Sequence, residues 1–315
     1  SDPHLAADLA NEIVSVFVQA HGGLGGESSM DISVVETVSQ PTEPIASRTP
    51  LNTLVAAIGG CVLATGTAFF IEYLDDTLVT AEDMHRNLSL PTLAVIPRPA
   101  RRRGRDTVPI DLSDPSSSLA EACRALYARL QFANANGHSS ANRMPSTMLV
   151  TSPSSTREKA NIAVNLGIVM AQAGLKVLLV DADLQQPKLH RIFGLTNTSG
   201  ITTVLAGGGD GRGYISQTAI PNLSVLPSGP PPELPTLSSQ QLPQLVTKLK
   251  AHADIVLFDG PPVLLSADAM VLAALAEGTL LAVESDATQR QAAVQAMEML
   301  RGVQAEMLGA VINGA

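Results

Sequence analysis

One lysine and three aspartates have the types and spacing to handle phosphate: Lys159, Asp181, Asp183 and Asp259. Lys159 lies in the turn between an apolar run, 148–151, and a helical pattern, 159–173. Strand, loop and helix N-terminus in that order is where α/β proteins hold phosphates, because free backbone N–H groups and the helix dipole point there. Each aspartate stands at or just past the end of a short apolar run, 177–181 or 255–259. The C-terminal ends of parallel strands share one edge of a sheet, so these carboxylates can converge on the phosphate loop. There they would hold Mg2+ directly or through water and accept a proton from an attacking hydroxyl. A lone Asp in such a place more often caps the next turn. Three of them, two in Asp-Ala-Asp, point to metal and phosphate chemistry.

The elements that must position these residues follow from periodicity. Strand patterns fall at 148–151, 177–181, 223–226, 255–259, 279–283 and 308–312, with helical patterns at 159–173, 238–251, 267–276 and 287–303. Short all-apolar strands alternating with helices predict an α/β domain with a parallel sheet covered on both faces by helices. Aromatic residues are only 3% of the chain, so its core must be aliphatic.

Upstream, residues 4–20 place Leu5, Leu9, Ile13, Val16 and Phe17 on one helical face. A Gly-rich break at 22–26, a strand-like run at 32–38 and a stiff connector carrying Pro41, Pro44 and Pro50 follow. Residues 51–71 carry no charge and are long enough, at about 1.5 Å per residue, to cross a hydrocarbon layer of about 30 Å. Ala56, Gly60, Ala64 and Ala68 form a small-residue stripe on that span, suited to close helix packing within one chain or between chains. Residues 72–90 read as a short helix and 93–96 as a brief extended piece. The cluster Arg101, Arg102, Arg103 and Arg105 fits a solvated linker as well as contact with anionic head groups. Residues 97–118 read as linker, and Ser118 with Glu121 as the capping box of a helix over 119–133. A net charge of −9 excludes a nucleic-acid-binding surface, and Cys61 and Cys123 form no disulfide framework. The opening Ser-Asp-Pro carries no signal peptide and reads as a start truncated from something longer.

LLVDADLQQPKLHRIFGL, followed by GITTVLAG, LSVLPSGPPPELPTLSS and DIVLFDGPPVLLSADA, resembles the bacterial tyrosine kinase (BY-kinase) domain of polysaccharide co-polymerases. Upstream, DPHLAADLAN, VVETVSQPTEP, EYLDDTLVTAEDM and LPTLAVIPR resemble the chain-length-determinant module of the same proteins. The resemblance implies a P-loop NTPase-like fold of the BY-kinase type, preceded by one transmembrane helix and the C-terminal end of an extracytoplasmic α+β module. It implies four regions: the end of that module with its Pro-rich connector at 1–46, the membrane helix at 47–72, a cytoplasmic juxtamembrane segment and linker at 73–118, and the BY-kinase-like nucleotide-binding domain at 119–315. It further implies a cell-membrane location with the C-terminal domain cytoplasmic, ATP and Mg2+ as cofactors, homo-oligomers, and the polysaccharide polymerase and export machinery as partners.

By the same resemblance, Lys159 takes the place of the Walker A lysine. Asp181 and Asp183 take that of the Walker A′ acids, the first as general base and the second on the metal side. Asp259 takes that of the Walker B acid beside Mg2+, and Asn313 that of an adenine-reading asparagine. Glu121 and Arg124 match two positions of a Glu-x-x-Arg-x-x-Arg oligomerisation helix, whose third position here is Tyr127. The nucleotide loop would span Ser155, Thr156, Arg157, Glu158, Lys159, Ala160 and Asn161, and here the chain departs from the family. Both glycines flanking the lysine are gone, Ala160 has no hydroxyl for Mg2+, and Glu158 adds negative charge where phosphate would sit. Ser155 and Glu158 also fit a plain capping box. Gln185 and Gln186 stand where an arginine commonly follows the acids, and no tyrosine cluster closes the chain. These departures favour a membrane-anchored co-polymerase controlling length or export of a surface polysaccharide, with impaired ATP chemistry. An active autokinase is the alternative, and a partition- or septum-type ATPase fits less well with a membrane span.

Overall fold

Alternation of side chains along short apolar strands gives a sheet two buried faces, and each face must then be covered. The computed structural model describes residues 3–21, 34–37, 49–74, 81–97, 117–135, 144–155, 159–207, 209–231, 241–285 and 287–314. The chain divides into two units, Ser1–Leu74 and Asp75–Ala315.

The first unit contains helix α1 (Pro3–His21) and helix α2 (Thr49–Leu74). Leu5, Leu9, Ile13 and Phe17 form the expected stripe of α1 and are exposed. Within α2, Thr49–Phe70 is long and apolar enough to cross a membrane, and none of it is buried by protein. An apolar helix without protein cover suits lipid rather than water. Residues 34–37 are not a strand, unlike the expected run at 32–38, whose remaining residues lie outside the described ones.

The second unit runs α3 (Ala81–Leu88), β1 (Thr92–Ile96), α4 (Ser118–Ala135), β2 (Thr147–Thr151), α5 (Lys159–Gln172), β3 (Val177–Asp181), α6 (Leu189–Ile192) and α7 (Ile201–Gly207). It continues through β4 (Ser216–Gln217), β5 (Leu223–Leu226), α8 (Leu242–Lys250), β6 (Ile255–Asp259), α9 (Ala267–Leu275), β7 (Gly278–Glu284), α10 (Arg290–Gly302) and β8 (Met307–Asn313). The strands form one sheet in the order β1-β8-β7-β2-β6-β3-β5-β4. As expected the sheet is parallel, with one short antiparallel edge pair, β4 with β5. Alternate residues of each strand feed opposite cores. Met148, Val150, Leu179 and Leu257 pack in the layer of α4 and α5, whereas Leu149, Val180, Phe258 and Leu281 pack in the layer of α3 and α7–α10.

Two findings concern the segments before β2. The cap of α4 is Ser117, whose Oγ accepts from the backbone N–H of Ala120 at 3.2 Å, instead of Ser118. The expected short helix and brief extended piece appear as α3 and β1, and both contribute core structure. β1 pairs with β8, and Met84, Leu88 and Leu90 of the α3 region are buried in the same core as Met297 and Leu300 of α10. Arg301 donates to the carbonyl of Leu88 at 2.8 Å, and Arg129 to that of Leu93 at 2.8 Å, so each face sends one arginine to hold the segment. Gly309 has a φ of +151° and allows the close approach, since a Cβ there would lie 2.7 Å from both Leu93 Cγ and the Pro91 carbonyl.

Met84→Ala should therefore cost about 2–5 kcal/mol, as removal of a buried side chain does. Urea unfolding of the detergent-solubilised chain, followed by circular dichroism, measures this. A loss under about 0.5 kcal/mol is what a linker residue would give.

Candidate functional site

Lys159 is the first residue of α5, a helix whose residues 159–171 are all buried between sheet and neighbouring helix. Its side chain turns under the C-terminal edge of the sheet and is only 2% exposed. There Nζ donates to Asp183 Oδ2 at 3.2 Å and to the carbonyl oxygen of Gly260, and forms an ion pair with Asp259 Oδ1 at 3.2 Å. The register of β3 against β6 sets Asp181 beside Asp259, so strand pairing brings two of the acids together. Asp183 follows two residues later, where β3 has ended.

The loops of this edge are tied to one another. Ala182 donates its N–H to the Asp259 carbonyl at 3.0 Å, and Gly260 donates to the Val150 carbonyl at 3.0 Å. The Thr151 hydroxyl donates to the Pro261 carbonyl at 2.7 Å. Asp181 Oδ2 accepts from the backbone N–H groups of Lys188 and Leu189 at 3.0 and 2.9 Å, and Asp183 Oδ1 accepts from that of Gln186 at 3.1 Å. Both acids therefore do the bland work of holding the 182–189 turn, and both also face Lys159 or Asp259.

The carboxylates are not satisfied by these contacts. Asp181 Oδ1 and both oxygens of Asp259 are buried with no hydrogen-bond donor. Burial, and then the charge of Asp259, push the Asp181 carboxyl well above its ordinary value. Burial raises Asp259 as well, against the opposing pull of Lys159. Burial works against the charge of Lys159, but Asp259 and Asp183 overcome it and raise its pKa. Burial is the main physical cause of both raised acids, and the neighbouring carboxylates add to it.

A divalent ion and phosphates fit part of this site. Asp259 Oδ2 and Asp181 Oδ1, which accept no hydrogen bond, are suitable ligands or acceptors. Among the described residues, no group of three or more His, Cys, Asp or Glu is arranged to hold a metal. Mg2+ would thus depend on one or two carboxylates and on a nucleotide's own phosphates. Ala160 is fully buried and offers no hydroxyl.

The other expected residues separate into groups. Asn313, at the end of β8, is buried, and Asn161 lies in the first turn of α5. Ser155 is exposed, while Thr156, Arg157 and Glu158 lie outside the described residues, and with them the expected capping box. Glu121 and Arg124 lie on α4 apart from the acid cluster and pair with each other at 2.9 Å on its exposed side. Sequence reasoning missed Gly260, whose carbonyl takes the lysine, and Lys188, whose charge lowers the pKa of Asp259. A basic residue just beyond Gln185 and Gln186, where an arginine was expected, is the signal that could have found Lys188.

Residues 157–308 match an AAA domain. The chain is similar to the tyrosine-protein kinase YwqD of Bacillus subtilis (strain 168), at 36% identity over 207 residues, covering 65% of this chain and 85% of YwqD. It is similar along 99% of its length to the putative tyrosine-protein kinase EpsB of Ralstonia solanacearum, at 26% identity, spanning 42% of that protein. Among solved structures, the kinase domain of Escherichia coli tyrosine kinase ETK superposes with a TM-score of 0.65 at 25% identity, over 76% of this chain and 95% of that domain.

The raised pKa of Asp181 sets the sign of a pH effect. A carboxyl that binds its proton more tightly when folded adds stability below the unfolded value of 3.8 and loses it as pH rises through the folded value. Asp181→Asn keeps an acceptor for Lys188 and Leu189 and removes that loss. Its melting temperature at pH 7.5 should exceed that of the parent by about 3 °C, the equivalent of about 1 kcal/mol in a domain of this size, and the gain should vanish toward pH 4. A lower melting temperature at pH 7.5 would contradict the raised pKa.

Proposed function

The chain belongs to the bacterial tyrosine-protein kinase family, and we propose that it is a membrane-anchored polysaccharide co-polymerase whose kinase-fold domain has impaired ATP chemistry. In this reading residues 1–46 end an extracytoplasmic module, 47–72 cross the cell membrane and 73–118 follow on the cytoplasmic side. The nucleotide-binding-like domain at 119–315 recruits the α3–β1 segment to complete its sheet. The protein controls the length or export of a surface polysaccharide as a homo-oligomer working with polymerase and export proteins. The apolar helix Thr49–Phe70 and the similarity to EpsB along 99% of the chain support the membrane setting.

One observation carries the impaired chemistry. The ammonium that should reach β- and γ-phosphates is buried against Asp183, Asp259 and Gly260, and the next residue, Ala160, cannot ligate Mg2+. If ATP and Mg2+ do enter, Asp183 and Asp259 would hold the metal, with Lys159 and the 155–161 loop on the phosphates and Asn313 on the adenine. Mg2+ would supply charge neutralisation of the phosphates, and Asp181 would be placed as proton acceptor.

The alternative is an active autokinase. It draws on the same acids, because Asp259 Oδ2 accepts no hydrogen bond and remains available to a metal. Glu121 and Arg124 would act at a subunit contact in either case, by exchanging their mutual pair for one across an interface.

Calorimetric titration of the detergent-solubilised chain with Mg-ATP separates the two. Impaired chemistry predicts binding no tighter than about 1 mM, roughly 4 kcal/mol. Glu158→Gly combined with Ala160→Ser should tighten it at least about tenfold, equivalent to 1.4 kcal/mol. Micromolar binding by the parent chain that disappears in Lys159→Ala would instead identify an active nucleotide site.

A further inference from the structure

Lys159 has a structural employment that a phosphate-binding lysine does not need. An ammonium carries three N–H donors and no acceptor. Three oxygens surround this one: Asp183 Oδ2 and Asp259 Oδ1, each at 3.2 Å, and the Gly260 carbonyl. Two of its donors are committed to hydrogen bonds inside the protein, with Asp183 and Gly260, and its charge faces Asp259 Oδ1 as an ion pair. The three oxygens come from the ends of two strands, Asp183 just past β3 and Asp259 with Gly260 at the end of β6, and two carboxylates with a backbone carbonyl are the mixture of hard oxygen ligands that a divalent cation takes.

The remaining lone pairs mark the same place. Both oxygens of Asp259 and Oδ1 of Asp181 are fully buried and receive no hydrogen bond, so charge alone compensates them. These side chains converge because β3 and β6 pair at Asp181 and Asp259, a juxtaposition built into the sheet. Carboxylates held so close in a buried space are stabilised by a cation among them.

We infer that Lys159 is a built-in counter-cation: its ammonium occupies the place of a divalent ion among Asp183, Asp259 and Gly260, and keeps free metal out of the carboxylate cluster. The inference rests on the reading of an impaired nucleotide site and says what holds the acids together when no nucleotide is present. A divalent ion beside Nζ would set two cations together in a buried space with no phosphate between them, and their repulsion there is severe. The lysine can leave only if phosphate oxygens take over its donors, and Ala160 gives the arriving metal no hydroxyl in exchange.

The test uses the full chain in detergent micelles, with melting followed by circular dichroism at neutral pH and MnCl2 alone as the probe. The parent chain should melt at the same temperature with and without Mn2+. Lys159→Met, similar in length but uncharged, should melt about 10 °C lower without Mn2+, the scale of breaking a buried ion pair in a domain of this size. Added Mn2+ should restore at least half of that loss. The double variant Lys159→Met with Asp259→Asn, relieved of one negative charge, should melt above the single variant and respond less to Mn2+. If Lys159→Met folds only when prepared in Mn2+, the counter-cation role is likewise supported. An equal Mn2+ response in the parent chain overturns it, as does a Lys159→Met protein that Mn2+ does not stabilise. Failure of both variants to fold in any condition overturns it too, because the lysine's packing would then be what matters. Tight Mg-ATP binding by the parent chain would overturn the impaired-nucleotide reading while leaving the Mn2+ pattern to stand, so the two can fail separately.

Discussion

Everything on the C-terminal edge of the sheet answers to one constraint, the burial of three carboxylates beside a single lysine. Isolated charges in a protein interior are costly, and their cost is bearable only where opposite charge and hydrogen bonds converge on them. Backbone N–H groups of the 186–189 turn meet one oxygen each of Asp181 and Asp183, and Lys159 meets Asp183 and Asp259. The loops after β2, β3 and β6 are stitched together by the same set of contacts. Remove Lys159, and the three carboxylates lose the ammonium buried among them.

This arrangement lets the fold persist without a bound nucleotide. The sheet, the buried helix α5 and the acid cluster stabilise one another without requiring a phosphate. Loss of glycines from the 155–161 loop removes backbone freedom that a bound phosphate would exploit, but it leaves the packing of α5 intact. A scaffold role for the domain needs only the packing. Catalysis would need Lys159 and the acids to part.

The segment between the apolar helix and α4 carries a second lesson. Its short strand and eight-residue helix are legible as local pattern, but only the fold shows that β1 hydrogen-bonds to β8 and that α3 seals the core over α10. β1 ends beside Asn313, since Gly314 donates its N–H to the Ile96 carbonyl at 2.9 Å. The chain that leaves the apolar helix is thus built into the same sheet edge that carries the expected adenine-reading residue.

The sequence by itself determined the α/β class, six of the eight strands, the apolar span and the identities of Lys159, Asp181, Asp183 and Asp259, because these rest on local periodicity and on residue chemistry. The order of the motifs was enough to identify the family. Tertiary structure decided the rest. Whether Lys159 faces phosphate or carboxylates depends on where β3 and β6 place Asp181 and Asp259, a contact across a hundred residues that no local pattern encodes. The membership of β1 in the sheet depends on a partner strand at the far end of the chain. Gly260 entered the site through a backbone carbonyl, which every residue possesses and no side-chain motif can announce.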